Sequence, residues 1–394
     1  MFFLIRPVGL ACHLRCRYCY YKDGHAQLRE MSAQKMEVST VRRLLEGLGG
    51  LLGEHTLCLH GGEPLLIGKQ WFAEYLELVG EHNRANSGCP PVSLTVQTNG
   101  ILVDKGWVEL FRRGDVGVSV SLDGPKEIHD YARVSAANGG THEAVLSRIK
   151  MMAGSGIRLG AIAVISKRTL EMPPSEFYRY FRDIPLENGL DFVPYIETGS
   201  SEIEQEAKEA LEADEKALSK YLRDLFDLWL FDTDMVHRVD LRIFEQMVGI
   251  ALGFTPSLCS LTQGASCGRT PNLMPNGDIY ACDLDVLGLD FRLGSVFHDG
   301  IAEICSPYRL KQLHEKIMAG LRARGCTECR LIGFCGLTCP RHVFSSRDHS
   351  PYCKMVEELV DHAEKRLNAI SNDAFHHSIE FDNRTTPFVN EVES

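Results

Sequence analysis

Short apolar runs alternate with amphipathic stretches along the first half of the chain. The apolar runs fall at residues 2–5, 56–59, 93–97, 117–122, 158–165 and 191–196. They are strand-sized and end in turn-forming residues, which marks them as buried strands. Between them the apolar residues recur at helical spacing over 40–52, 70–83, 105–111, 142–153 and 175–181. Alternation of this kind predicts right-handed βαβ units and a parallel sheet. Six strands fall short of the eight that close a TIM-type barrel. The expected fold is therefore α/β, an open, partial (β/α)6 TIM-like barrel. The opening "MFFLIRPVGL" is too short for a signal peptide and lacks a basic leader and a small-residue cleavage site, so it reads as the first buried strand.

The second half has a different pattern. Residues 201–232 are rich in Glu and Lys and run into "LRDLFDLWLF". This stretch predicts a helix whose acidic first half is a solvated face. A second helix is expected over 238–252. Residues 259–353 are dense in cysteine, and Asn276-Gly277 within them signals a β-hairpin with Cys282 on its return strand. The polar tail after Ile370 is expected to be disordered. The organisation predicted is a barrel over 1–200, a helical bridge over 201–256, a cysteine-rich domain over 257–355, and a C-terminal helix and polar tail over 356–394.

Composition narrows the class. A length of 394 residues suits two or three domains, and a hydrophobic fraction of 44% supports sizeable cores. Lys+Arg 42 against Asp+Glu 53 gives a net charge of −11, which argues against a nucleic-acid or anionic-membrane surface. No apolar run approaches the ~20 residues of a membrane span. Fourteen cysteines with no export signal point to a reducing cytoplasm and to metal chemistry rather than disulfides.

Three of those cysteines, Cys12, Cys16 and Cys19, follow the first strand at spacing Cys-x3-Cys-x2-Cys. Three thiolates on one short loop can hold three irons of a [4Fe–4S] cube and leave the fourth iron open to a small molecule. A zinc site or a disulfide nest is the other reading of such spacing. "HGGEP" (residues 60–64) follows the second strand, "QTNG" (97–100) ends the third and "SLDG" (121–124) ends the fourth. In parallel sheets chemistry gathers at the carboxyl ends of the strands, so four polar motifs there argue for one shared site.

Taken together, "CHLRCRYCYY", "GGEP", "QTNG" and "SLDGP" resemble the radical S-adenosylmethionine (SAM) enzymes. The resemblance implies that the open iron chelates the SAM amino and carboxylate groups, and that an injected electron cleaves SAM to methionine and a 5′-deoxyadenosyl radical. Gly61, Gly62, Glu63 and Pro64 match the motif that binds the SAM amino group. Bare glycine backbone allows close approach, and a carboxylate suits an ammonium. Ser121 and Asp123 match positions of polar contact to SAM, although Asp123-Gly124-Pro125 also reads as a strand-ending turn.

The later cysteines resemble the SPASM extension of radical SAM enzymes, which carries two auxiliary [4Fe–4S] clusters. The resemblance implies Cys259, Cys267, Cys282 and Cys339 as ligands of one, and Cys326, Cys329, Cys335 and Cys353 as ligands of the other. With the N-terminal triplet this makes three clusters. A pair of zinc ribbons is the alternative. Cys58, Cys89 and Cys305 are left without a role, Cys58 reading as a core residue of the second strand.

Within that group the chain is most similar to the anaerobic sulfatase-maturating enzymes, which oxidise a Cys or Ser of a sulfatase to formylglycine. The likeness implies Asp283, next to Cys282, as the general base, with Asp285 as a local competitor, and Tyr21 as a substrate-pocket residue. His60 departs from the family pattern, which more often has Gln there. The other substrate class for this architecture is a ribosomally made precursor peptide, given a thioether or carbon–carbon cross-link. The start of the chain at the first barrel strand leaves no room for a leader-peptide-binding domain, and with Asp283 this favours the sulfatase class. Expected partners are a protein or peptide substrate and a flavodoxin or ferredoxin as electron donor. A non-catalytic zinc or iron–sulfur protein would explain the late cysteines but not the strand-end motifs.

Overall fold

Six apolar runs become six parallel strands: β1 (Phe2–Ile5), β2 (Thr56–Leu59), β3 (Ser93–Thr98), β4 (Gly117–Ser121), β5 (Leu159–Ile165) and β6 (Leu190–Pro194). The computed structural model describes residues 1–19, 21, 34–49, 51, 53–195, 205–234, 237–258, 267–282, 292–335, 339 and 350–375. The strands lie side by side in chain order, and among the described strands β6 pairs with β5 and no other, its Leu190 also bridging Leu241, so the sheet does not close into a barrel. The opening residues do form a buried strand, with Phe3, Leu4 and Ile5 all in the core.

The connecting helices pack against the sheet and share its core. They are α1 (Val38–Leu48), α2 (Lys69–Ala85), α3 (Lys105–Arg113), α4 (Lys126–Ala132), α5 (His142–Ala153), α6 (Lys167–Leu170) and α7 (Pro174–Arg182). Their starts follow local chemistry: Asp104 caps α3 by accepting from the Trp107 amide at 3.0 Å. The periodicity does not reveal α4 and α6, which span two turns or fewer.

The charged stretch gives two helices, α8 (Gln205–Leu211) and α9 (Glu215–Leu230), because the Asp214 carboxylate accepts from the Ala217 amide at 3.0 Å and starts a new helix. The acidic first half is not wholly solvated. Ala207 and Leu211 are buried in a small cluster with Ala132 and Tyr195, against Tyr18 and Tyr131. Next, α10 (Arg242–Ala251) inserts Phe244 between Phe192 of β6 and Phe226 and Trp229 of α9, at ring separations of 5.2, 5.2 and 5.7 Å. The last described helix packs on α9 as well. It spans Ser350–Phe375, and its His362 and Arg366 both reach Asp227.

The Asn276-Gly277 hairpin is present between β7 (Asn272–Leu273) and β8 (Asp278–Tyr280), with Gly277 at φ +86°. The pattern did not foretell its docking. Strand β7 adds in parallel to the free edge of β1, and β9 (Arg292–Ser295) follows antiparallel to β8, so nine strands form one sheet. A four-residue helix, α11 (Ile301–Ile304), and a 17-residue helix, α12 (Pro307–Ala323), complete this region before the final helix, now α13. Ile301 of α11 packs on Gly47 of α1. No described helix is long and apolar enough to cross a membrane.

Phe244 is fully buried and joins three elements at the β6 edge. We expect Phe244→Ala to destabilise the fold by about 3–5 kcal/mol, read as a lower midpoint of chemical denaturation. Phe244→Leu should cost less than half of that.

Candidate active site at the strand ends

The cysteine loop leaves β1 and crosses the carboxyl ends of the strands. It has little regular structure, so its neighbours set its course. Leu14 bridges Ser135, the Arg15 amide donates to the Val134 carbonyl at 2.8 Å, and the Arg17 amide donates to the Ala132 carbonyl at 2.8 Å. The Arg17 Nε also donates to the Tyr131 carbonyl at 2.8 Å, and its guanidinium lies 5.1 Å from the Tyr131 ring centre. The loop is thereby pinned along the segment that ends α4.

Next to it lies the Gly-Gly-Glu-Pro turn. Gly61 and Gly62 have φ +82° and +55°, and a Cβ on Gly62 would collide with the Ala11 carbonyl. Glycine is required here by close approach. The Glu63 amide donates to that same carbonyl at 2.8 Å. Its carboxylate is fully buried and accepts from the Leu65 amide (3.0 Å), the Thr98 hydroxyl (2.8 Å) and the Asn99 amide (2.8 Å). Burial pushes the Glu63 carboxyl up to about 7, against the pull of those donors. Pro64 opens a short 3-10 turn, Pro64–Ile67, that Glu63 caps.

Asp123 is held still more completely. One oxygen accepts from the Tyr18 hydroxyl (2.6 Å) and Arg133 Nε (3.0 Å), the other from Arg133 Nη2 (3.1 Å) and the Val164 amide (3.0 Å). It is 1% exposed. Four donors fill a carboxylate's capacity, so this side chain is engaged in the fold itself. Buried His129 braces the turn, with Nδ1 3.3 Å from the Asp123 amide and Nε2 3.0 Å from the Thr141 hydroxyl; burial pushes its pKa down to about 4. Ser121, half-buried at the end of β4, accepts from Gln97 Nε2 at 3.2 Å.

The three thiols sit on one loop and sense one another. Burial pushes Cys12 up to about 12, with Glu63, Cys16 and Cys19 adding to the shift and the Leu14 amide opposing it. Among the described residues no three His, Cys, Asp or Glu side chains converge as they would on a single ion. Three thiols on one loop, beside the Gly-Gly-Glu-Pro turn, suit three corners of an iron–sulfur cluster.

Tyr21 also reaches this site. Its hydroxyl lies 2.9 Å from His60 Nε2, and the Arg6 guanidinium lies 5.1 Å from its ring centre. With its amide oxygen turned toward Arg6, the orientation the donors there require, Asn272 of β7 accepts from Arg6 Nε at 2.9 Å, which ties this group to the hairpin.

The later cysteines divide. Cys282 lies two residues past β8, and the Cys267 carbonyl is 2.9 Å from His314 Nε2 on α12. Cys326 opens a 3-10 turn whose Cys329 amide donates back to its carbonyl at 3.1 Å. Cys335 and Cys339 follow, and Cys353 is on α13. Cys259, Asp283 and Asp285 lie outside the described residues. Cys58 is buried on β2. Sequence reasoning assigned no role to Arg133, Tyr18, His129 or Asn99.

Truncating one partner of the Asp123–Arg133 pair strands a buried charge. Arg133→Met should cost about 3–5 kcal/mol in the metal-free protein, measured by chemical denaturation. Adding Asp123→Asn should recover part of that loss.

Comparison with known proteins agrees with this geometry. Residues 7–175 match the radical SAM superfamily model. A cysteine-type anaerobic sulfatase-maturating enzyme of Clostridium perfringens (strain 13 / Type A) is 27% identical over 378 residues, 94% of this chain and 98% of the relative. A serine-type enzyme of the same description from Bacteroides thetaiotaomicron is 26% identical, over 92% of this chain and 89% of the relative. The solved structure of native anSMEcpe with bound AdoMet and Cp18Cys peptide superposes with a TM-score of 0.76 at 25% identity, over 94% of this chain and 99% of that one. The cysteine loop and the glycine cradle both lie within the matched segment, so residues 7–175 are a radical SAM domain, and the chain as a whole is similar to the anaerobic sulfatase-maturating enzymes.

Proposed function

We propose that this enzyme oxidises the β-carbon of a cysteine or serine in a sulfatase-type peptide, yielding formylglycine. The observation that carries the reading is likeness over nearly the whole chain to both cysteine- and serine-type maturating enzymes. The peptide in the structure of a relative supports a peptide substrate.

Residues 1–200 would form the catalytic barrel. Cys12, Cys16 and Cys19 would hold a [4Fe–4S] cluster, which when bound supplies the electron for reductive cleavage of SAM. Gly61 and Gly62 offer bare backbone to the SAM amino group, and Glu63 has acceptor capacity left beyond its three donors. Ser121 would add a polar contact. Asp123 would act through Arg133 and Tyr18, by fixing the cysteine loop. Cys259, Cys267, Cys282 and Cys339 would hold one auxiliary cluster, and Cys326, Cys329, Cys335 and Cys353 another, making three. Tyr21 would line the pocket. Asp283, beside Cys282, would take the proton from the substrate thiol or hydroxyl. A flavodoxin or ferredoxin would deliver electrons.

The test is mass spectrometry on an anaerobic reaction of reconstituted enzyme, SAM, dithionite and a peptide bearing Cys-x-Pro-x-Arg. We expect the cysteine to become an aldehyde as 5′-deoxyadenosine forms. Deoxyadenosine with an untouched peptide would overturn the substrate assignment and turn attention to small precursor peptides. In the same assay, Asp283→Asn should still cleave SAM while product falls at least tenfold. Equal product from variant and parent would remove Asp283 from the mechanism.

A further inference from the structure

Asn99, the third residue of the "QTNG" motif at the end of β3, touches both halves of the site. Its backbone amide donates to Glu63 Oε2 at 2.8 Å. Its side-chain Nδ2 lies 3.8 Å from Cys12 Sγ, a hydrogen-bond distance for the larger sulfur atom. The side chain is not free to turn over. Its Oδ1 accepts from the Ile101 amide at 3.0 Å, so a flipped amide would set NH2 against an N–H donor and an oxygen against the sulfur. Asn99 itself is buried, at 8% exposure, while Cys12 is exposed. The Leu14 amide is a second donor to the same sulfur, at 3.4 Å.

Hydrogen bonds to ligand sulfurs withdraw electron density from an iron–sulfur cluster and make the reduced form easier to reach, so they raise its reduction potential. We propose that Asn99 is a positioning and tuning residue whose side-chain amide donates to the Cys12 sulfur and raises the reduction potential of the SAM-binding cluster. The proposal rests on Cys12 being a ligand of that cluster. The Asx-type turn with Ile101 fixes the amide, and the backbone bond to Glu63 fixes Asn99 relative to the glycine cradle. One residue therefore sets the distance between a cluster ligand and the carboxylate beside it.

Two variants separate the donor from the scaffold. Asn99→Asp keeps an oxygen for the Ile101 amide and loses the donor. Asn99→Ser retains a shorter oxygen acceptor for the same turn and also loses the contact to sulfur. Both keep the backbone bond to Glu63. The experiment is a potentiometric titration of the reconstituted full-length enzyme, followed by electron paramagnetic resonance. The cluster of interest is identified as the one whose reduced signal changes when SAM is added. We expect its midpoint potential to shift negative in Asn99→Ser and further negative in Asn99→Asp, which also adds charge beside Glu63. Signals that do not respond to SAM should keep their potentials. A SAM-responsive signal with the parent's midpoint in Asn99→Ser would overturn the proposal, even if thermal unfolding of the metal-free variant came at lower temperature, because that pattern is a purely structural role. A parent enzyme with no SAM-responsive signal would overturn the cluster assignment and the proposal with it.

Discussion

Two buried carboxylates hold the cysteine loop in place. The loop makes few hydrogen bonds within itself, among them those from the Gly9, Ala11 and Cys19 amides to nearby carbonyls. Its other anchors are external. Glu63 collects donors from the 3-10 turn after β2 and from the end of β3, and its own amide holds Ala11. Asp123 collects donors from the loop itself, from the end of α4 and from β5. A desolvated charge is costly unless its acceptor positions are filled. Each carboxylate therefore penalises any movement of the segments that supply its donors. The loop is held by these two buried carboxyl groups and by its backbone bonds to the segment after α4, rather than by regular secondary structure of its own.

The same logic explains which parts of the molecule were legible in sequence. The six barrel strands were readable because each is a short apolar or alternating run with turn residues at its end, and His142–Ala153 was readable residue for residue because its buried positions recur every three or four residues. Helices α4 and α6 were not, since two turns or fewer cannot display a period. The split between α8 and α9 depends on one side-chain cap at Asp214, hidden in a stretch where acidic residues abound. The hairpin was legible from Asn276-Gly277, but a two-residue strand carries no pattern, so its pairing with β1 was not.

In the site, residue types were legible and their partners were not. Asp123 reads equally as a ligand contact or a turn because its four donors come from Tyr18, Arg133 and Val164, far apart in the chain. Only the fold assembles them. Glu63 is the reverse case. Its neighbours Gly61 and Gly62 announce close backbone approach, and the structure fills that approach with the Ala11 carbonyl beside Cys12.

The placement of the hairpin has a consequence for how the two halves of the chain depend on each other. Arg6 is fully buried at the end of β1, and a guanidinium in that position needs acceptors for its donors. Asn272 of β7 supplies one, at 2.9 Å from Nε, and the Arg6 amide donates to the Leu273 carbonyl at 3.0 Å. The other face of Arg6 lies toward Tyr21, which in turn meets His60. Without the hairpin, β1 would present a bare edge and Arg6 would lose its Asn272 acceptor. The cysteine-rich half is therefore part of the barrel's own stability, and it reaches Tyr21 and His60 through Arg6. A change in β7 that never touches substrate can reach Tyr21 and His60 by this route, because every link in it is a buried or half-buried contact with little room to yield.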